Sequence, residues 1–330
     1  MKRRLALFLL FLLAGVVLGI FVLVASVPIR EPRAWGVTFS ARAADDFGIP
    51  WHEAYRAMLN DLGVRKIRLP VYWSEIEPER GMYNFDRLDQ QVRDAAKVNA
   101  EIILAIGRKV PRWPECHEPE WVKNLSQEDQ QAAQLDMMRT VVERYRSASH
   151  LTLWQVENEP FLPFGLCPPL DVEFFEREIA LVHSLDPSRE VLTTDSGELS
   201  LWVRALRRGD VFGTTMYRII YKEPIGYFTY PVPPSFFRLK RALTEIFAGK
   251  RRMMVIELQA EPWGPKPIPQ MEIEEQYISF DPDRFRDTIV YASRSGFDEF
   301  YLWGVEWWYW LRVKKNEPEM WDIAKELFVR

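Results

Sequence analysis

The sequence predicts a single (β/α)8 barrel preceded by a separate apolar N-terminal helix, and three observations predict it. Eight short apolar runs fall between residues 35 and 303. Stretches of helical period lie between them. No linker, low-complexity stretch or repeat interrupts residues 35–330. Strands that alternate with helices pair in parallel through βαβ units, and eight such units close on themselves. A chain of 330 residues holds the roughly 250 residues of one such barrel plus an appendage. An open doubly wound sheet is the competing architecture, but no glycine-rich phosphate loop follows the first run.

The first 30 residues stand apart, which divides the chain into residues 1–30 and a barrel domain over residues 31–330. Lys2, Arg3 and Arg4 precede an uncharged run from Leu5 to Val27. As a helix this run reaches about 34 Å, against a bilayer core of about 30 Å. The apolar core of a secretory signal is shorter, about 7–15 residues. An uncleaved membrane anchor is therefore expected, with a cleaved signal ending near Val24-Ala25-Ser26 as the alternative. The cationic flank keeps the N-terminus in the cytoplasm and puts the barrel outside, or secretes it if the segment is removed.

The expected strands are Trp35–Ser40, Lys66–Leu69, Glu101–Ile106, Leu151–Glu157, Val191–Asp195, Val211–Met216, Met253–Glu257 and Glu299–Trp303. Between them, Leu88, Val92 and Ala95 recur at helical spacing, as do Leu135, Met138, Val142 and Tyr145, and then Phe285, Ile289 and Ala292. Ser126 with Asp129 three residues on is a capping pair for the second of these helices. Three strand-to-helix connections are long: Gly107–Leu125, Arg218–Pro233 and Gln259–Phe280. In a barrel they emerge on the face where sites are built.

Composition removes several classes of function. The net charge of −4 comes without a basic, aromatic-studded stripe, so no nucleic-acid partner is expected. The four histidines are scattered and no CxxC occurs, so neither a metal site nor a cofactor is expected. Most of the 13 tryptophans suit a core; the remainder suit flat platforms for sugar rings. Cys116 and Cys167 fall in the loops after the neighbouring third and fourth strands, and a disulfide joining those loops is expected outside the cytoplasm.

Two glutamates carry the chemistry. Trp154-Gln-Val-Glu-Asn-Glu-Pro160 closes the fourth strand, and Met253-Met-Val-Ile-Glu-Leu-Gln-Ala-Glu-Pro-Trp263 contains the end of the seventh. The ends of strands four and seven face each other across a barrel mouth, so Glu159 and Glu257 can flank a sugar. Glycosidic hydrolysis with retention needs a carboxylic acid that protonates the leaving oxygen and a carboxylate that attacks the anomeric carbon. A negative Glu257 keeps Glu159 protonated until the nucleophile is esterified; Glu159 can then act as base towards water. Glu261 is the rival nucleophile, four residues further on in a loop. Glu157 shares its alternation parity with Glu159 and reads as a polar residue paired inside the barrel.

In these motifs the chain resembles glycoside hydrolase clan A, which includes the family 5 cellulase-like and family 42 galactosidase-like barrels. Asn158-Glu159-Pro160 and Glu257 stand where that clan carries acid/base and nucleophile. Val64-Arg-Lys-Ile-Arg-Leu-Pro-Val-Tyr-Trp73, then Ile76-Glu77-Pro78, Gly81 and Tyr83-Asn84-Phe85, is similar to its second strand and the turn beyond. The resemblance implies that Arg68 contacts the nucleophile and that Asn158 bonds the sugar's 2-hydroxyl. It also implies that Tyr217 orients Glu257 and that Trp303 stacks on the sugar. Trp263, Trp307 and Glu261 are further cleft candidates. Thr215 stands where family 5 members usually carry His, and Glu257-Leu-Gln-Ala-Glu-Pro-Trp263 looks closer to family 42. The expectation is a retaining glycoside hydrolase acting on an extracellular oligo- or polysaccharide, touching the membrane through residues 5–27. A transglycosylase using the same glutamates and a non-catalytic carbohydrate-binding barrel are the alternatives.

Overall fold

The computed structural model describes residues 2–328, with side chains from Leu12 onward. Eight parallel strands close into a barrel: β1 (Ala34–Thr38), β2 (Lys66–Pro70), β3 (Glu101–Ile106), β4 (Leu151–Val156), β5 (Glu190–Asp195), β6 (Val211–Met216), β9 (Arg252–Gln259) and β10 (Glu299–Trp303). Each expected strand is present, displaced by at most two residues at an end. The two remaining strands, β7 (Ile219–Lys222) and β8 (Gly226–Thr229), form an antiparallel hairpin. This hairpin fills the long connection expected over Arg218–Pro233. The alternating apolar residues of a short, half-exposed hairpin are too few to register as strands of a core.

The barrel has two apolar layers. Ile103, Leu153, Leu192, Val211, Met254, Ile256 and Tyr301 pack inside the sheet. Gly36 makes room there, since a Cβ on it would lie 2.8 Å from the Tyr301 ring. The larger layer joins the sheet to the surrounding helices and buries Trp73, Trp154, Trp202, Trp307, Trp308 and Trp321 completely. The helix Gln127–Tyr145 begins as its sequence implies. Ser126 Oγ accepts from Asp129 N at 3.2 Å and donates to Asp129 Oδ2 at 2.7 Å.

Two local irregularities place the site. In β9, Val255 pairs with Phe300 and Leu258 with Leu302, so three residues on one strand match two on the next. Against β6, the extra residue falls between Val255 and Glu257. This bulge resets the alternation: Met254 and Ile256 face inward, Glu257 also turns inward onto Arg68, and Leu258 returns to the helix layer. At the end of β4, Glu157 has φ 56° and Glu159 φ 43°, both left-handed. The alternation therefore stops at Val156. Glu157 is not paired inside the barrel; its carboxylate accepts from Arg108 N at 2.8 Å and Lys109 N at 2.6 Å, on the helix side. Gly107, at φ 125°, is needed beside it, because a Cβ there would sit 2.4 Å from Glu157 Oε1.

The N-terminal helix runs from Lys2 to Ser26. Arg238 ties its end to the barrel, donating to Val24 O at 2.7 Å and Val27 O at 2.9 Å. Leu13, Val17 and Phe21 are exposed. Among the described residues no helix is long and apolar enough to cross a membrane. Of the expected span Leu5–Val27, the side chains before Leu12 lie outside those described.

Candidate active site

The barrel mouth gathers Arg68 from β2, Asn158 and Glu159 beyond β4, Tyr217 beyond β6, and Glu257 from β9. One hydrogen-bond chain connects most of them. Arg68 is fully buried and spends each arm of its guanidinium on a different partner. Nη1 donates to Glu257 Oε1 at 2.7 Å, Nη2 to Asn158 Oδ1 at 2.6 Å, and Nε to Gln155 Oε1 at 2.8 Å. A charge this deep in the barrel requires such a set, since an unpaired buried guanidinium is strongly unfavourable. The second oxygen of Glu257 accepts from Tyr217 OH at 3.0 Å. With both oxygens occupied, Glu257 is held as an aimed carboxylate.

Glu159 receives much less. It is 7% exposed, and its carboxyl accepts one bond, from Thr215 Oγ1 at 3.1 Å. Its backbone is fixed more firmly, with Glu159 N donating to Thr194 Oγ1 at 2.8 Å and Lys109 Nζ donating to Glu159 O at 3.0 Å. Burial raises its pKa well above the ordinary carboxylate value, and the charge of Glu257 raises it further. The mouth thus holds one carboxyl that binds its proton more tightly than usual and one with a cation and a phenol on it. The phenol is also pushed up, by burial first and by Glu257 second, so Tyr217 stays a donor.

A second cluster adjoins the first. Trp303 Nε1 donates to Glu261 Oε1 at 2.6 Å, and Arg112 bridges Glu261 and Glu306 at 2.5 and 2.7 Å. The Arg112 guanidinium lies 4.2 Å over the Trp303 ring, so a cation occupies one face of that ring. Trp263 lies on the cleft side: its ring meets Tyr217 edge-on at 5.4 Å and stacks on Phe164 at 6.3 Å. Trp307 is not in the cleft. It is fully buried below the 259–280 connection, with Nε1 donating to Gln276 Oε1 at 2.7 Å.

Sequence reasoning missed Glu115 and Thr215 as site residues. Thr215 had a signal, because it stands at a position singled out as a departure. Glu115 had only its place in a long connection on the right face. Its Oε2 accepts from Asn158 Nδ2 at 3.1 Å. The Cys116–Cys167 disulfide is present, tying the loop after β3 to the loop after β4. A cavity lined by Arg108, Gln134, Glu157, Phe161 and Glu178 lies behind that second loop, on the helix side and away from Glu257. Among the described residues no cluster of histidine, cysteine and acidic side chains is arranged to hold a metal.

A family model described as beta-galactosidase, of glycoside hydrolase family 42, matches residues 49–164. That segment includes Arg68, Glu115 and Asn158-Glu159 and excludes Glu257. Two beta-galactosidases of Lactobacillus acidophilus, LacZ and LacA, are 24% and 26% identical over 26% of this chain, and the match spans 16% of each relative. Similar solved structures include a family 10 endoxylanase from a sugarcane soil metagenome, with TM-score 0.58 and 16% identity, covering 82% of this chain and 86% of that one. A family 5 protein of Streptomyces cattleya in complex with GlcNAc gives TM-score 0.56 and 13% identity, covering 84% and 71%. A beta-galactosidase from Marinomonas ef1 gives 0.55 and 14%, covering 82% and 53%. At these identities the structures establish the shared fold. The chain is thus a (β/α)8 barrel that shares its fold with glycosidase barrels over most of its length and is similar to the beta-galactosidase family over residues 49–164.

Proposed function

We propose that the protein is a retaining glycoside hydrolase, with Glu159 as acid/base and Glu257 as nucleophile. The observation that carries this reading is the unequal environment of the two carboxyls described above. Glu257, held by Arg68 and Tyr217, attacks the anomeric carbon while Glu159 delivers its proton to the departing oxygen. Ester formation removes the charge of Glu257. One cause of the raised pKa of Glu159 then vanishes, and Glu159 takes a proton from the incoming water. Asn158 meets the 2-hydroxyl, Trp263 flanks the sugar, and Trp303 stacks on it once Arg112 moves aside. A sugar hydroxyl in place of water turns the same steps into transglycosylation.

The substrate is an oligo- or polysaccharide outside the cytoplasm, and the barrel works there tethered by residues 5–27. The cationic start, the apolar run and the disulfide support this placement. The deciding experiment is a screen of aryl glycosides on the protein lacking residues 1–30, with Glu257→Ala as control. Turnover lost in that variant supports the reading, whereas equal rates in both would overturn it.

A further inference from the structure

Glu115 is a buried carboxyl, 6% exposed, at the mouth that holds the two reacting glutamates. We propose that Glu115 is a positioning residue of this site, which clamps the Asn158 amide against Arg68 and so sets the group that meets the sugar beside its anomeric carbon. The inference rests on the glycosidase reading above.

The geometry is a chain of four side chains. Glu115 Oε2 accepts from Asn158 Nδ2 at 3.1 Å, Asn158 Oδ1 accepts from Arg68 Nη2 at 2.6 Å, and Arg68 Nη1 reaches Glu257 Oε1 at 2.7 Å. With both ends of the amide engaged, Asn158 cannot flip. One Nδ2 hydrogen points at Glu115, and the other remains for substrate.

The loop is built to put Glu115 there. Its backbone has φ 74°, in the left-handed region where a non-glycine residue is strained. The turn is pinned by Val110 N donating to Glu115 O at 2.9 Å and Glu115 N donating to Arg112 O at 2.8 Å. The next residue, Cys116, is bridged to Cys167. From the opposite loop, Gly165 makes way, because a Cβ on it would lie 2.5 Å from Glu115 Cβ. A glycine at position 115 would relieve the backbone, so the side chain is what the strained turn presents.

Four charged or titratable groups face this carboxyl: Glu257 from β9, Arg68 from β2, Lys109 from the same loop, and Glu159 beyond β4. Burial, then Glu257, pushes Glu115 up to about 8; Lys109, Asn158 and Arg68 pull the other way. Glu115 is therefore uncharged at neutral pH. Ionised, it competes with Glu257 for Arg68 and draws the remaining Asn158 N–H away from the sugar. Glu115 thus supports the site below pH 8 and disturbs it above.

The test uses a dinitrophenyl glycoside, whose leaving group needs no proton from Glu159, so that an alkaline limb reports another group. The parent's kcat/KM should fall about tenfold per pH unit above pH 8. Glu115→Gln should remove that limb whatever its absolute rate, and Glu115→Ala should raise KM at every pH. An unchanged limb in Glu115→Gln would overturn the proposal. Stability gives a readout independent of turnover. A carboxyl protonated in the folded protein and ionised in the unfolded chain lowers stability as pH rises towards its folded pKa. The melting temperature of Glu115→Gln relative to the parent should therefore climb between pH 5 and pH 8. A constant difference would show Glu115 ionised throughout and overturn the proposal. A parent inert towards every glycoside would sink the glycosidase reading, leaving the thermal arm to decide the state of Glu115.

Discussion

Glu159 and Glu257 are the same residue type at the same mouth, and their neighbours divide the labour. Glu257 is held by a guanidinium and a phenol, so replacing it removes the attacking oxygen and leaves Arg68 without a counter-charge. Glu257→Ala should reduce turnover of an aryl glycoside to background, and added azide should restore part of it with a product of inverted configuration. Full activity in that variant together with loss in Glu261→Ala would move the role to Glu261. Its bonds to Arg112 and Trp303 suit a wall residue. Thr215 donates to Glu159, and a donor favours the ionised form. Thr215→Val should therefore raise the pKa of Glu159 and move the alkaline limb of kcat/KM upward by about one unit, read with a substrate whose leaving group needs protonation. A downward move would mean that Thr215 stabilises the protonated acid. At this scale the Asn-Glu-Pro triplet was legible because a motif coincided with a strand end. Glu115 was not, because its proximity to Asn158 is created by a turn with no sequence signature.

Elements decide where those side chains point. Simple alternation along β9 puts Met254 and Ile256 inside, and would send Glu257 to the helices. The extra residue in the strand turns it back. A bulge has no pattern in a short, uniformly apolar run, so the position of Glu257 was readable and the device that aims it was not. The reverse holds at β4, where parity suggested an inward Glu157 and two left-handed residues ended the parity. The two loops that carry Glu115 and Phe164 are joined by Cys116–Cys167, 51 residues apart in sequence. Closing a loop of that length constrains the unfolded chain by about 4 kcal/mol in the entropic account. Replacing both cysteines by serine in the protein lacking residues 1–30 should lower unfolding stability by about 2–4 kcal/mol in urea. Amide exchange over residues 108–118 should rise with it, because that segment carries Arg112 and Glu115. Unchanged exchange there would show that hydrogen bonds and the Arg112 ion pairs hold the loop without the bridge.

At the scale of the whole molecule, eight strands were legible because parallel strands buried on both sides read as continuous apolar runs. The helices between them supply the period. The N-terminal segment poses a different question, since its apolar side chains do not enter that core. Leu13, Val17 and Phe21 are exposed, and the helix meets the barrel near its end, where Arg238 caps Val24 and Val27. A soluble protein gains nothing from an apolar helix left in water, because each large side chain so exposed forgoes roughly 1.5–3 kcal/mol of burial. Insertion in a bilayer would supply that burial, with Lys2, Arg3 and Arg4 at the cytoplasmic end. The full-length protein should therefore remain in the membrane fraction after an alkaline carbonate wash, with its N-terminus intact and the barrel open to protease only from the outer side. A soluble form beginning near Ser26 or Val27 would identify a cleaved signal instead. The tether and the chemistry are separable in either case, since β1 starts at Ala34 and every residue of the mouth follows it.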